Sequence, residues 1–324
     1  VRVLVTGGAG FIGSNYVRSL LAGRYPAFAD ADVVVLDLLT YAGTLTNLPD
    51  PATEPRLRFV RGDIRDATVV TDVMRGSDVV VHFAAESHVD RSITGAADFV
   101  STNVVGTQVL LQAALHADVA RFVHVSTDEV YGSIETGSWP ETHPLEPNSP
   151  YSASKAGSDL LARAFHRTHG LPVCITRCSN NYGPHQFPEK VIPLFVTNLL
   201  DGEKVPLYGD GLNVRDWLHV DDHCRGIQLV AEKGRDGEIY NIGGGTELTN
   251  RELTHRLLAA VGADASMIEP VADRKGHDRR YSVKWSKIAD ELGYRPQVRF
   301  EQGLAETVAW YRTHRGWWEP LKRR

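Results

Sequence analysis

A β-branched run, RVLVT (2–6), ends at the turn GGAGFIG and passes directly into an amphipathic stretch. Gly7, Gly10 and Gly13 recur every third residue at the point where a strand must stop and a helix begin. Glycines there let the backbone approach a ligand closely, and the first N–H groups of the helix have no partners within it, so the turn suits a pyrophosphate. A glycine triplet alone is a weak signal; its place between strand and helix carries the argument.

The same order repeats along the chain. DVVVLD (32–37), LRFVRGD (57–63), DVVVHFAA (78–85), RFVHVST (121–127) and LPVCITR (171–177) read as strands. Helical stretches from Phe11 to Leu21, from about Asp66, over 97–117 and over 150–169 are interleaved with them. Apolar runs without strict alternation mark strands buried on both faces. The expected fold is α/β: a Rossmann-type doubly wound parallel sheet with a smaller, mixed C-terminal substrate domain. Ser149 is placed to cap the 150–169 helix, Pro150 takes its first position and Gly170 ends it.

Residues 1–180 are therefore assigned to cofactor binding, and 181–324 mainly to a second, substrate-binding domain. WLHVDD (217–222) and IYNIGGG (239–245) read as sheet segments that return the stretch 214–245 to the first domain. Asp37 closes the second strand, 24 residues after Gly13. A carboxylate there accepts both hydroxyls of an adenosine ribose and repels a 2′-phosphate, which favours NAD over NADP.

Charge narrows the partners. The 324 residues carry 35 Lys and Arg against 40 Asp and Glu, a net charge of −5. That argues against a nucleic-acid or anionic-membrane binder. No apolar run reaches the ~18 residues of a membrane span. The three cysteines, Cys174, Cys178 and Cys224, make no disulfide framework. With no leader pattern before the first strand, a cytoplasmic protein is expected. His219, His223 and Cys224 lie close together but do not complete a metal-ligand pattern, so no metal is expected. Cys174 and Cys178 read as core fillers, and the aromatics of WYRTHRGWW (310–318) as packing for the last helix against the substrate domain.

Tyr151 and Lys155 stand one helical turn apart on a shared face. A tyrosine near its ordinary pKa of ~10 is a poor base at neutral pH; a neighbouring ammonium and an oxidised nicotinamide ring would favour its phenolate. Thr127 ends the fifth strand, where open α/β sheets place ligands. Directly after it come Asp128 and Glu129. Two adjacent carboxyls can have their pKa values driven apart by repulsion and unequal burial, so that one donates a proton while the other takes one. An elimination of water needs such a pair.

The glycine turn, the Thr127 hydroxyl and the Tyr-x-x-x-Lys pair resemble the extended short-chain dehydrogenase/reductase superfamily. DLLTYAGTLTNL (37–48), AAESHVDRSI (84–93), STDEVYG (126–132), SNNYGPHQFPEKVIP (179–193), PLYGDGLNVRDWLHVDD (206–222) and DRKGHDRRY (273–281) resemble one family within it, the dTDP-glucose 4,6-dehydratases. The likeness runs from the first strand to about residue 300. Lys275 departs from it, since the family more often has proline there.

The resemblance implies a retained NAD, dTDP-glucose as substrate and a homodimer joined through the 97–117 and 150–169 helices. It implies that Tyr151 takes the proton of the C4 hydroxyl held by Thr127, that Glu129 removes the C5 proton, and that Asp128 protonates the departing C6 hydroxyl. It places Gly7, Gly10, Phe11, Ile12, Gly13, Asp37, Thr40, Asp63, Ile64, Ala85, Thr102 and Asn181 at the cofactor, with Tyr151 and Lys155. Around the sugar nucleotide it places Ser87, Thr127, Asn180, Lys190, Val191, Pro206, Tyr208, Arg215, Asn250, Arg274 and His277. Independently of the family, Arg215 and the basic 273–281 cluster suit a pyrophosphate in an otherwise acidic chain. The alternatives are another NAD-dependent sugar-nucleotide enzyme, such as a UDP-sugar 4-epimerase, a decarboxylase or a GDP-mannose dehydratase, and a non-catalytic NAD sensor. The acid pair argues against the epimerase, and the intact Tyr151 and Lys155 against the sensor.

Overall fold

The structure is a computed structural model that describes residues 1–322. Strands β1 (Arg2–Thr6), β2 (Asp32–Asp37), β3 (Leu57–Arg61), β4 (Val79–His82), β5 (Arg121–Thr127) and β6 (Val173–Cys178) occupy the expected stretches. Between them lie α1 (Phe11–Leu21), α2 (Ala67–Met74), α3 (Val89–Thr94), α4 (Ala96–Phe99), α5 (Thr107–His116) and α6 (Pro150–His169). The second half contributes β7 (Asn180–Tyr182), α7 (Val191–Leu200), β8 (Val205–Tyr208), β9 (Val214–His219), α8 (Val220–Lys233), β10 (Ile239–Ile242) and β11 (Glu247–Thr249). After these come α9 (Asn250–Val261), β12 (Ile268–Val271), α10 (Ser286–Leu292), α11 (Phe300–Thr313) and α12 (Arg315–Lys322).

The main sheet has the order β10-β6-β5-β4-β1-β2-β3, and every pairing in it is parallel. Side chains alternate across it, as a pleated strand requires. Val3 and Val5 face a core shared with α1 and α8, while Leu4 faces one shared with α2, α5 and α6. The strand order reverses beside β1, which leaves the crevice for a ligand at the carboxyl ends of β1, β4 and β5.

α6 begins with a reciprocal capping box: Ser149 Oγ accepts from the Ser152 N–H, and Ser152 Oγ accepts from the Ser149 N–H. It ends at Gly170 in the left-handed region. The stretch read as one helix over 97–117 is instead α4, a π-helical segment over Val100–Gly106, and α5. Asn103 inside that segment is buried and bonds Glu86 N, Glu86 O and Ser154 Oγ. These bonds tie the widened turn to the loop after β4 and to α6.

Ile239–Ile242 forms the edge of the main sheet beside β6. WLHVDD divides: β9 stops at His219, and Val220 opens α8. His219 Nδ1 accepts from the Asp221 N–H, while Asp221 and Asp222 sit in the first turn, where the helix dipole favours them. β9 pairs with β7 and β11 in a separate three-stranded sheet rather than with the main one. A third apolar core gathers α7, α9, α11 and α12.

Candidate active site

Gly7 holds a positive φ of 70°, and a Cβ there would lie 2.5 Å from Ala84 N. A Cβ on Gly13 would lie 2.3 Å from the Gly7 carbonyl. Only glycine fits at either position. No side chain caps the amino end of α1, so its leading N–H groups face the crevice for an anion. At the end of β2, Asp37 accepts from Leu39 N at 2.8 Å and Ala9 N at 2.9 Å, which fixes the carboxylate beside the glycine turn. Burial pushes its pKa up, and those two N–H groups oppose the shift.

The other positions singled out for the cofactor lie on several different elements. Phe11 and Ile12 occupy the first turn of α1, and Ala85 follows β4. Thr40 is exposed in the loop after β2. Ile64 is buried against Gly106, so it helps shape the π-helical segment that carries Thr102. Asp63 is engaged by Arg65, with Nε to Oδ2 at 2.9 Å. Asn181 Oδ1 lies 2.9 Å from His223 Nδ1, which fixes the amide at the edge of β7.

At the end of β5, Thr127 Oγ1 accepts from the Glu129 N–H and donates to Asp128 Oδ1 at 3.3 Å. The threonine thereby caps the short turn Asp128–Tyr131 and aims both acids. Asp128 is 2 % exposed; burial and then the neighbouring Glu129 push its pKa well above the carboxylate range. Burial also raises Glu129, but Arg274, Arg215 and Lys190 pull it back. The two carboxyls are thus unequal, with Asp128 the better proton donor and Glu129 the better acceptor.

The buried Lys155 ammonium donates to the Val125 carbonyl at 2.8 Å. Burial lowers its pKa to about 8, against the opposing field of Asp159. Tyr151 does not have the lowered pKa expected from its lysine neighbour. Burial and then Glu129 push it well above the ordinary value, and Thr127 works in the opposite sense. The desolvated phenol and the nearby carboxylate outweigh one ammonium that is itself turned toward a carbonyl.

Beside Glu129 opens a cavity of about 210 Å³. The loop after β4 supplies Ser87, the strand after β6 Asn180, and the start of α7 Lys190 and Val191. Pro206 and Tyr208 come from β8, Arg215 from β9, Asn250 from α9, and Arg274 and His277 from the basic loop. Thr127 is not part of its wall; it stands behind Glu129. Arg215 lies 4.0 Å over the ring of Tyr281 and donates to the Asp278 carbonyl at 2.9 Å. The departing Lys275 is exposed, and the turn around it is closed by His277 Nδ1 on Asp273 Oδ1 at 2.6 Å.

Sequence reasoning missed Asp90 and Tyr281 in this wall. Both belong to blocks already singled out, AAESHVDRSI and DRKGHDRRY, so the position within each block was the usable signal. Asp90 Oδ1 meets Arg274 Nη1 at 3.3 Å and closes the basic loop toward α3. The three cysteines are buried and free. Among the described residues no helix is long and apolar enough to cross a membrane.

This arrangement matches known proteins over nearly its whole length. The family model described as GDP-mannose 4,6 dehydratase matches residues 4–307. The dTDP-glucose 4,6-dehydratase of Streptomyces antibioticus is 66% identical over 328 aligned positions, covering 100% of this chain and 96% of the relative. The enzyme of the same name from Actinoplanes is 63% identical, covering 98% of this chain and 100% of the relative. Among solved structures, the Streptomyces venezuelae dTDP-glucose 4,6-dehydratase DesIV, solved with NAD bound, superposes with a TM-score of 0.98. It is 69% identical and covers 99% of this chain and 100% of its own. The chain belongs to the dTDP-glucose 4,6-dehydratase family.

Proposed function

We propose that the protein is an NAD-dependent dTDP-glucose 4,6-dehydratase, a hydro-lyase that converts dTDP-glucose to dTDP-4-keto-6-deoxyglucose and water. The observation that carries this reading is the unequal acid pair, Asp128 and Glu129, between the Thr127–Tyr151–Lys155 group and a cavity whose wall includes Lys190, Arg215 and Arg274. The glycine cradle, the open amino end of α1 and the Asp37 carboxylate fit a dinucleotide with a free 2′-hydroxyl. NAD, when bound, accepts hydride from sugar carbon 4, returns it to carbon 6, and brings a cationic ring that favours the Tyr151 phenolate.

The chain's own groups then divide the proton work. Tyr151 takes the proton of the C4 hydroxyl, which Thr127 orients, and the charge of Lys155 supports the phenolate. The resulting C4 ketone acidifies the C5 proton, which Glu129 removes. Asp128, kept protonated by burial, delivers its proton to the C6 hydroxyl as the C–O bond breaks and water leaves. A proton returns to C5 at the end, so the net change is loss of one water. Arg215, Arg274 and Lys190 suit the two phosphates of the substrate.

A cytosolic homodimer completes the reading. Val100, Val105 and Leu160 are about half exposed on the adjoining 100–116 and 150–169 stretches. An exposed apolar patch on two packed helices is what a four-helix interface would cover.

The decisive experiment is mass spectrometry of dTDP-glucose incubated with the purified protein and no added cofactor. A product lighter by one water supports the dehydratase and a retained NAD. An isomer of unchanged mass, resolved from the substrate by chromatography, would point to a 4-epimerase instead. Unchanged substrate, with NAD added as well, would overturn the reading.

A further inference from the structure

Behind Lys155, one turn further along α6, Asp159 is fully buried. Arg177 on β6, 1 % exposed, donates to it through Nε at 2.8 Å. Tyr151, Lys155 and Asp159 therefore follow one another at four-residue steps on one face of the helix. Neither Asp159 nor Arg177 lines the substrate cavity. Two ionised groups so far from water are costly, and a brace between α6 and β6 could be made from apolar side chains at similar or better stability.

We propose that Asp159 and Arg177 are positioning residues for catalysis, a buried pair that sets the charge on Lys155 and holds the acid-bearing turn against the catalytic helix. The inference rests on the dehydratase reading for the meaning of Lys155, though not for its measurement. Among the described residues Lys155 makes no direct ion pair; its hydrogen bond goes to Val125 O. Asp159 acts on it through space and favours the ammonium against the burial that disfavours it. How strongly it acts depends on Arg177, which neutralises the same carboxylate at closer range. Burial works to raise Asp159, yet Arg177 and His124 hold it at about 2, so it stays ionised.

Other titratable groups near Lys155 do not substitute for it. His124 on β5 lies 3.3 Å from Asp159 Oδ1, and burial keeps its ring neutral. His82 on β4 is likewise driven neutral by burial, and bonds Thr6 and Thr107. The Cys178 thiol on β6 is pushed up by burial and remains protonated. Asp159 is thus the carboxylate that answers the ammonium.

The other end of Arg177 reaches the acid-bearing turn. Its Nη1 donates to Tyr131 Oη at 2.8 Å, and Tyr131 Oη donates to Asn241 Oδ1 at 2.9 Å. Tyr131 closes the turn that begins at Asp128. The sheet register sets Arg177 between Ser126 and Asn241, so one guanidinium spans the catalytic helix, the acid turn and the edge strand.

The test is a carbon-13 NMR titration of lysine-labelled, NAD-loaded protein, with the Lys155 signal assigned by Lys155→Arg. Asp159→Asn should lower the Lys155 midpoint by about one pH unit or more, and Asp159→Glu should restore it. Arg177→Gln, which removes the cation that competes most closely for Asp159, should raise the midpoint instead. Opposite shifts support the pair; shifts of the same sign, or none, reduce it to a structural brace and overturn the proposal. Should Asp159→Asn not fold, the direction given by Arg177→Gln decides. Turnover of dTDP-glucose by the unaltered protein is followed in parallel: its absence overturns the dehydratase reading and leaves the titration result for the pair standing.

Discussion

The indole Nε1 of Trp317 donates to Asn47 Oδ1 at 3.0 Å. Asn47 Nδ2 in turn donates at 3.0 Å to the carbonyl of Ala9, inside the glycine turn. Helix α12, at the far end of the chain, is thereby braced against the loop that would hold the pyrophosphate. His185 adds a ring nitrogen 3.2 Å from the same Asn47 oxygen, and Arg18 bonds the Asn47 carbonyl. Trp317→Phe keeps the ring and removes the donor, a loss of about 1 kcal/mol. If the brace shapes the bound state, NAD should be held roughly fivefold more weakly. NAD content per chain after exhaustive dialysis, read beside the thermal midpoint, checks this. Full occupancy with an unchanged midpoint would show that the contact only decorates the surface.

The acid pair predicts where each variant stalls. Glu129→Gln keeps Tyr151 and Thr127 but lacks the group that removes the C5 proton, so dTDP-glucose should be oxidised at C4 and go no further. Absorbance near 340 nm should then accumulate in single turnover, with turnover reduced by a factor on the order of 10² to 10⁴. Tyr151→Phe should stop earlier, with no such absorbance. Should Glu129→Gln turn over normally, the base for C5 lies elsewhere.

Much of the main sheet was legible because strands buried on both faces favour continuous apolar runs, as in β1, β2 and β4. Helix α6 was legible to the residue, since Ser149, Pro150 and Gly170 are each local signals of a helix end. The break at Val100–Gly106 was not, because the wider turn is held by Asn103 reaching Glu86 and Ser154, contacts that no periodicity encodes. WLHVDD was right only in its first half for a related reason: a histidine cap turned the last three residues into a helix start. At the site, the residue types were readable while their electrostatics were not. The upward shift of Tyr151 comes from depth and from Glu129, and both depend on how α6 meets the Thr127 turn.

Gly13→Ala tests the cofactor cradle without touching any ionisable group. The added Cβ would sit 2.3 Å from the Gly7 carbonyl, closer than any real contact, so the turn must open. α1 has its own packing through Val17 and Leu20 and should survive. The expected product is a folded protein with little NAD and little activity, which far-UV circular dichroism and cofactor content distinguish from an unfolded one. Normal NAD content would mean that the turn accommodates the methyl and that the cradle is looser than its geometry.

Lys155 gives the pH dependence, and its sign follows from burial. Its pKa falls from 10.5 to about 8, so the ammonium is charged below pH 8 and is lost as the pH rises through that value. Turnover should therefore decline above about pH 8, as the Tyr151 phenolate loses its supporting charge. Stability runs the other way. The unfolded chain keeps its lysine protonated up to about 10.5, so this group's penalty on the fold is fully present below pH 8 and is relieved as the pH climbs toward 10.5. Lys155→Met should consequently be inactive yet melt higher than the parent at pH 7, with the advantage shrinking above pH 8. Thermal midpoints of both proteins from pH 6 to 10, set beside the pH–rate profile of the parent, test both statements. A parent whose turnover still climbs at pH 9 would show that the buried ammonium is not the source of the alkaline limb, and a Lys155→Met variant that melts lower at pH 7 would show that it is not a cost to the fold.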